Sequence, residues 1–117
     1  VRLPAIAQGS IVLAQVADLQ GRNPKVRPLV VITSNADLPT AVQIVTVAIT
    51  GEFVEPIQPD EVLLQYHPQG NCRTKLRKRS VAKCSWRPVI EKSAIIEVKG
   101  FVPLPQLERI LEIVAIP

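Results

Sequence analysis

Eleven prolines and five glycines are spread over the 117 residues. Each proline fixes φ and withdraws a backbone donor, so long uninterrupted helices are disfavoured and short strands joined by turns are expected. A helical bundle is therefore the wrong class for this chain. Apolar residues make up 47% of it and charged residues 21%. That is enough to bury one core and too little charge for disorder. A length of 117 residues suits a single domain, 1–117.

The β-branched run from Gly9 to Ala17 reads as a first strand, and the polar segment Asp18 to Arg27, with Gly21, Asn23 and Pro24, as a loop. Pro28 holds Arg27 extended at the loop exit, and Leu29 to Thr33 forms the next strand. Ala41 to Thr50 is almost continuously apolar, which places it centrally in a sheet, and Gly51 ends it. A short edge strand is expected over Glu61 to Gln65, another strand over Ser80 to Ile90 and a further one over Ala94 to Val102. Pro88 must then lie on an edge or at a bulge. Leu107, Ile110, Leu111 and Val114 recur at helical spacing, so Pro105 to Val114 is an amphipathic helix with proline in its first turn. The pattern predicts a mainly β chain with a C-terminal helix, a small and partly closed antiparallel barrel.

Charge is unevenly placed. From Arg73 to Lys92 there are eight Lys and Arg against Glu91 alone, a net of +7, whereas Ala41 to Cys72 holds four carboxylates and no Lys or Arg. The basic segment predicts a polyanionic partner. Only four aromatic side chains are present, Phe53, Tyr66, Trp86 and Phe101. A platform of stacked rings for single-stranded nucleic acid is thereby excluded, and such contact must rest on charge.

Phosphate-binding glycine loops, a dinucleotide fingerprint and HExxH are all absent, and a single His leaves little room for histidine-based catalysis. His67, Cys72 and Cys84 match no zinc spacing, so neither a metal nor another cofactor is expected. His67, in His-Pro-x-Gly, reads first as a turn residue and second as a proton-transfer group. Two cysteines and no signal-like start point to a reducing, cytoplasmic setting, and no apolar run is long enough to span a membrane. Three groups could meet an anion: Lys25 with Arg27, the latter clamped by Pro28; the Thr50 hydroxyl at a strand end; and Arg73, Lys75, Arg77, Lys78 and Arg79 continued by Lys83 and Arg87.

In order, these pieces resemble the MazF/PemK family of toxins. Gly9-Ser-Ile-Val is similar to the family's opening strand. Arg22-Asn-Pro-Lys-Val-Arg-Pro-Leu-Val-Val-Ile-Thr33 is similar to its loop followed by Arg-Pro and an apolar strand. Val45-Thr-Val-Ala-Ile-Thr50-Gly51 resembles the strand that ends in threonine. Ser80-Val-Ala-Lys-Cys84 with Val89-Ile-Glu-Lys92 resembles the strand carrying a Lys/Arg-Cys pair, and Leu107-Glu-Arg-Ile-Leu111 the closing helix.

The resemblance implies an SH3-like β-barrel of five to seven antiparallel strands, a homodimer, metal-free cleavage of single-stranded RNA including mRNA, and a cognate antitoxin that covers the RNA groove. It implies catalytic roles for Arg27, Thr50 and Lys83, with Lys25, His67, Arg73, Lys75, Arg77, Lys78, Arg79, Ser85 and Arg87 at the substrate. Ser85 stands where some members carry Asp as a candidate base, leaving His67 and Glu52 as substitutes. Two other readings stay open: a catalytically silent barrel that binds RNA or antitoxin, and a toxin of this fold directed at DNA gyrase.

Overall fold

The computed structural model describes residues 5–115. Seven strands precede one helix: β1 (Ser10–Val16), β2 (Lys25–Val31), β3 (Gln43–Thr50), β4 (Glu61–Leu63), β5 (Val81–Lys83), β6 (Val89–Glu91), β7 (Glu97–Phe101) and α1 (Leu104–Ala115). Every pairing is antiparallel, in the order β4-β5-β3-β2-β1-β7, with β6 joined to the first half of β3. The apolar run at Ala41 to Thr50 thus becomes the central strand, bordered by β2, β5 and β6.

Two expectations are corrected. The span Ser80 to Ile90 is two strands, because its register against β3 shifts between Lys83 and Val89, where the Trp86 and Pro88 carbonyls still accept from the Ala48 and Thr46 amides. The Pro88 carbonyl accepts from both the amide (3.0 Å) and the hydroxyl (2.6 Å) of Thr46 at that point, so the proline flanks the ladder and is not asked to donate to it. The second strand begins at Lys25, four residues earlier than expected, and carries Pro28 inside it. That position is tolerated because β2 pairs with β3 only from Leu29 onward, so one side of Pro28 is an open edge.

Alternation along the strands separates two cores. One face buries Ile11, Val30, Val47, Ile49 and Ala82 beneath α1, which contributes Leu107 and Ile110. The other buries Val12, Ala14, Leu29, Val31, Ile44 and Ala48, with Trp86 packed at its margin. No helix among the described residues is long and apolar enough to cross a membrane.

The strand ladder does not close on itself; a loop bridges its two edges. Beyond β4, the Gln65 carbonyl accepts from the Thr74 hydroxyl at 2.7 Å, and the Gln65 side-chain oxygen accepts from the Arg73 amide at 3.2 Å. The Arg73 carbonyl in turn accepts from the Phe101 amide of β7 at 2.9 Å. Glycine at position 100 makes this approach possible, since a Cβ there would collide with the Arg73 carbonyl oxygen and lie 3.0 Å from the Thr74 carbonyl. The result is barrel-like, with the basic segment serving as its seam.

Candidate active site

The β2–β3 ladder pairs Leu29 with Ala48 and then stops. Continued by two residues, the same register would set Arg27 opposite Thr50; the strands part before that point, and both residues line the opening between them. Residues opposite one another, and those two apart along a strand, share a face of a sheet. Lys83 pairs with Ala48 and therefore lies on the face of Arg27 and Thr50. One pleat thus aims all three at one side of the opening. A cleft of about 880 Å³ lies there, and Arg27, Thr50 and Lys83 all line it.

Arg27 is half-buried at the margin of the second core. Its Nε donates to the Val16 carbonyl at 3.2 Å and a terminal nitrogen donates to the Asn23 carbonyl at 3.1 Å. The guanidinium lies 5.0 Å from the centre of the Trp86 ring. Such stacking fixes a cation without neutralising it and contributes about 0.5–2 kcal/mol. Two carbonyls and an indole therefore orient this charge, and no carboxylate among the described residues pairs with it. Trp86 was missed by sequence reasoning: scarcity of rings argued against a stacking platform, yet a single ring suffices to hold one guanidinium.

The Thr50 oxygen accepts from the Glu52 amide at 3.0 Å, while its own hydrogen has only a 3.5 Å contact with the Glu52 carbonyl. The hydroxyl is thus oriented and left free to donate to an anion. Lys83 is differently placed: its ammonium lies 3.5 Å from Asp60 and 3.7 Å from Glu61, the latter only 6% exposed. Asp60 is held below the usual carboxylate range by the Ser85 hydroxyl first and the Lys83 charge second. A carboxylate thus stands beside Ser85, brought there from the loop before β4.

The cleft also gathers Lys25, Lys75, Arg77 and Lys78, together with Lys99, which sequence reasoning did not select. Seven Lys and Arg line it against two carboxylates, Asp18 and Glu52. Both Asp18 oxygens are occupied, one by the Gln20 and Arg22 amides and the other by the Asn23 side chain; the Arg22 amide above all lowers its pKa. Two lining residues, Asn23 (φ 53°) and Lys75 (φ 61°), occupy the left-handed region. For lysine this conformation is uncommon and costs about 1 kcal/mol or more. At Lys75 it turns the basic segment back along the cleft.

Other expected substrate contacts fall elsewhere. Arg79 forms an ion pair with Glu55 and covers the Phe53 ring at 5.5 Å, so part of the basic segment is matched by the acidic stretch of the same chain. Arg87 donates from Nε to the Cys84 carbonyl at 2.6 Å and borders a smaller depression of about 500 Å³ on the β6 side of Trp86. Arg73 joins the seam through its backbone, and its exposed side chain does not line the cleft. Ser85 serves Asp60 and does not line the cleft. His67 organises its own turn, its Nδ1 accepting from the Gln69 amide at 3.1 Å and the Asn71 amide at 3.4 Å, and it too lies outside the cleft lining. Cys84 is fully buried, and desolvation raises its thiol to about 11, whereas Cys72 is partly exposed. Among the described residues no three His, Cys, Asp or Glu side chains converge as metal ligands.

The architecture has known counterparts. A mycobacterial endoribonuclease solved with its cognate antitoxin superposes with a TM-score of 0.71 at 14% identity, over 95% of this chain and 92% of that one. The Mycobacterium tuberculosis toxin MazF-mt6 gives 0.67 at 21% identity over 90% and 91%. MazF from Deinococcus radiodurans gives 0.70 at 16% identity over 97% and 94%. These likenesses establish a common fold. No curated protein sequence matches the chain. The model of the PemK-like, MazF-like toxins of type II toxin–antitoxin systems matches residues 7–116, nearly the whole length. With the strand order, the closing helix and this match in agreement, the chain belongs to the PemK-like, MazF-like toxin family.

Proposed function

We propose that this chain is an endoribonuclease that cuts single-stranded RNA, mRNA included, at short specific sequences, with the cleft between β2 and β3 as its active site. One observation carries the reading: Arg27 and Thr50 line the same cleft beyond the end of the β2–β3 ladder, the first as a guanidinium with no ion-pair partner among the described residues and the second as a hydroxyl free to donate. Such a pair binds the non-bridging oxygens of a phosphodiester and stabilises the charge that builds on them in the transition state.

The ribose supplies the nucleophile, so the protein needs neither an activated serine nor a metal. The 2′-oxygen attacks the adjacent phosphorus, the bond to the 5′-oxygen breaks, and a 2′,3′-cyclic phosphate and a 5′-hydroxyl result. Glu52 takes the proton from the 2′-hydroxyl; it lines the cleft, and among the described residues its carboxylate has no ion-pair or hydrogen-bond partner. A guanidinium stays protonated at any working pH, so Arg27 acts as a charge stabiliser. The Lys83 ammonium returns a proton to the departing oxygen. Glu52→Gln is expected to slow cleavage by about 10²–10³-fold, the usual contribution of a positioned base, while RNA binding holds or tightens. A single-turnover assay beside a binding titration measures both.

The cationic cleft also suits an acidic antitoxin segment competing with RNA, and a homodimer of single-domain protomers in the cytoplasm is the assembly we propose. Incubating the purified protein with a long single-stranded RNA in EDTA tests the reading: a few discrete cuts are expected. Binding at protein excess without any cut would favour a silent RNA-binding barrel, and growth arrest with intact RNA and failing DNA supercoiling would favour a gyrase-directed toxin.

A further inference from the structure

Gly51 follows Thr50 at the end of β3 and lines the cleft. Glycines in this chain at positions 9, 21 and 70 have positive φ, a conformation that disfavours side chains; Gly51 is not among them. Its backbone therefore does not require glycine. A Cβ at position 51 would lie 2.7 Å from Lys78 Cε, 2.9 Å from Nζ and 3.4 Å from Cδ, so a side chain there would push the lysine aside. The end of the Lys78 side chain occupies the volume that any other residue at 51 would fill.

The same ammonium has no carboxylate partner among the described residues, whereas Arg79 is paired with Glu55 and Lys83 with Asp60 and Glu61. The Ser80 hydroxyl donates to the Lys78 carbonyl at 3.1 Å, which fixes the backbone from which the side chain extends. An unpaired cation is thus seated on a glycine, one residue from the Thr50 hydroxyl.

We infer that Gly51 is a positioning residue and that Lys78, resting on it, binds a non-reacting phosphate of the RNA strand beside the scissile linkage. The inference rests on the nuclease reading and adds a second phosphate subsite to it. A lysine reaches such a phosphate as a point charge and supplies affinity equally in the ground and transition states. Loss of it should raise KM and leave kcat unchanged.

The test compares the unsubstituted protein, Gly51→Ala, Lys78→Gln and the double variant. Each is titrated against a fluorescein-labelled, uncleavable 2′-O-methyl oligoribonucleotide over a range of salt, and kcat and KM are measured on the cleavable RNA. Each single variant is expected to weaken binding about tenfold at low salt, the loss of one charge-assisted contact. Each should also lower the slope of log K against log salt by about 0.7, the value for one phosphate on a single strand. The double variant should match either single one, because alanine at 51 acts only by displacing the lysine. A merely structural role for Gly51 would lower thermal stability without moving the salt slope. Unchanged binding in either single variant, additive effects in the double, or a fall in kcat overturns this inference and leaves the nuclease reading standing. Failure of the unsubstituted protein to bind the oligonucleotide overturns both.

Discussion

Replacing Arg27 with alanine is expected to reduce RNA cleavage by about 10³-fold or more while the chain stays folded. Removing one pre-aimed donor from a charge-stabilising site costs ~10²–10³ in rate, and a guanidinium on a phosphoryl group is worth ~10³–10⁵. The folding penalty is small by comparison. The side chain leaves behind two carbonyls, of Val16 and Asn23, and one face of Trp86. Loss of a half-exposed cation–π contact amounts to about 0.5–1 kcal/mol, or a few degrees in Tm. Arg27→Lys should recover little, because an ammonium keeps the charge but cannot stack on the indole and reach both carbonyls in one plane. Single-turnover cleavage, with Tm as a control, checks the pair. A loss of activity matched by a collapse in Tm would assign Arg27 to the core instead.

The second large effect falls on stability. Gly100→Ala places a methyl group against the Arg73 carbonyl and 3.0 Å from the Thr74 carbonyl, in a backbone segment held by the Phe101 amide at the Arg73 carbonyl and by Gln65 at the Arg73 amide and the Thr74 hydroxyl. Neither can step aside without opening the seam. The expected cost is about 2–3 kcal/mol, near the upper end of overpacking penalties, or roughly 10–20 °C in Tm for a domain of this size. Gly51→Ala is the matched control, since the atoms it meets are the far end of a flexible lysine and Tm should hardly move. Thermal denaturation of the two variants side by side is decisive. Equal melting temperatures would mean that the basic segment is not the seam of the barrel.

Much of the architecture was legible because it is written in local periodicity. The apolar run before Gly51 indicated a central strand, and β3 does border three others. The spacing of Leu107, Ile110, Leu111 and Val114 indicated the helix, of which Leu107 and Ile110 are the buried face. What stayed hidden depends on contacts between distant residues. Nothing near Gly100 in sequence announces that Arg73 and Thr74 will cross it. The division of residues 80–91 into β5 and β6 follows from a shift of register against β3 between Lys83 and Val89, which alternation alone does not reveal.

The site was legible to a different degree. Arg27, Thr50 and Lys83 came from motif resemblance, and their common face becomes physical only through two strand registers. Composition misdirected attention from Trp86, because counting rings tests for a platform and not for a single clamp. Net charge likewise marked the whole basic segment, although Arg79 is matched by Glu55 and Arg73 lies outside the cleft lining. Of that segment, Lys75, Arg77, Lys78 and Lys83 line the cleft.

Analysis of the fragment ends tests the central claim most directly. A long single-stranded RNA cut by the purified protein in EDTA should yield fragments with 5′-hydroxyl and 2′,3′-cyclic phosphate ends at a small set of sites, and Arg27→Ala should yield none. Fragments bearing 5′-phosphates, or RNA left whole at protein excess, would contradict a cleft built to let a ribose attack its own phosphate.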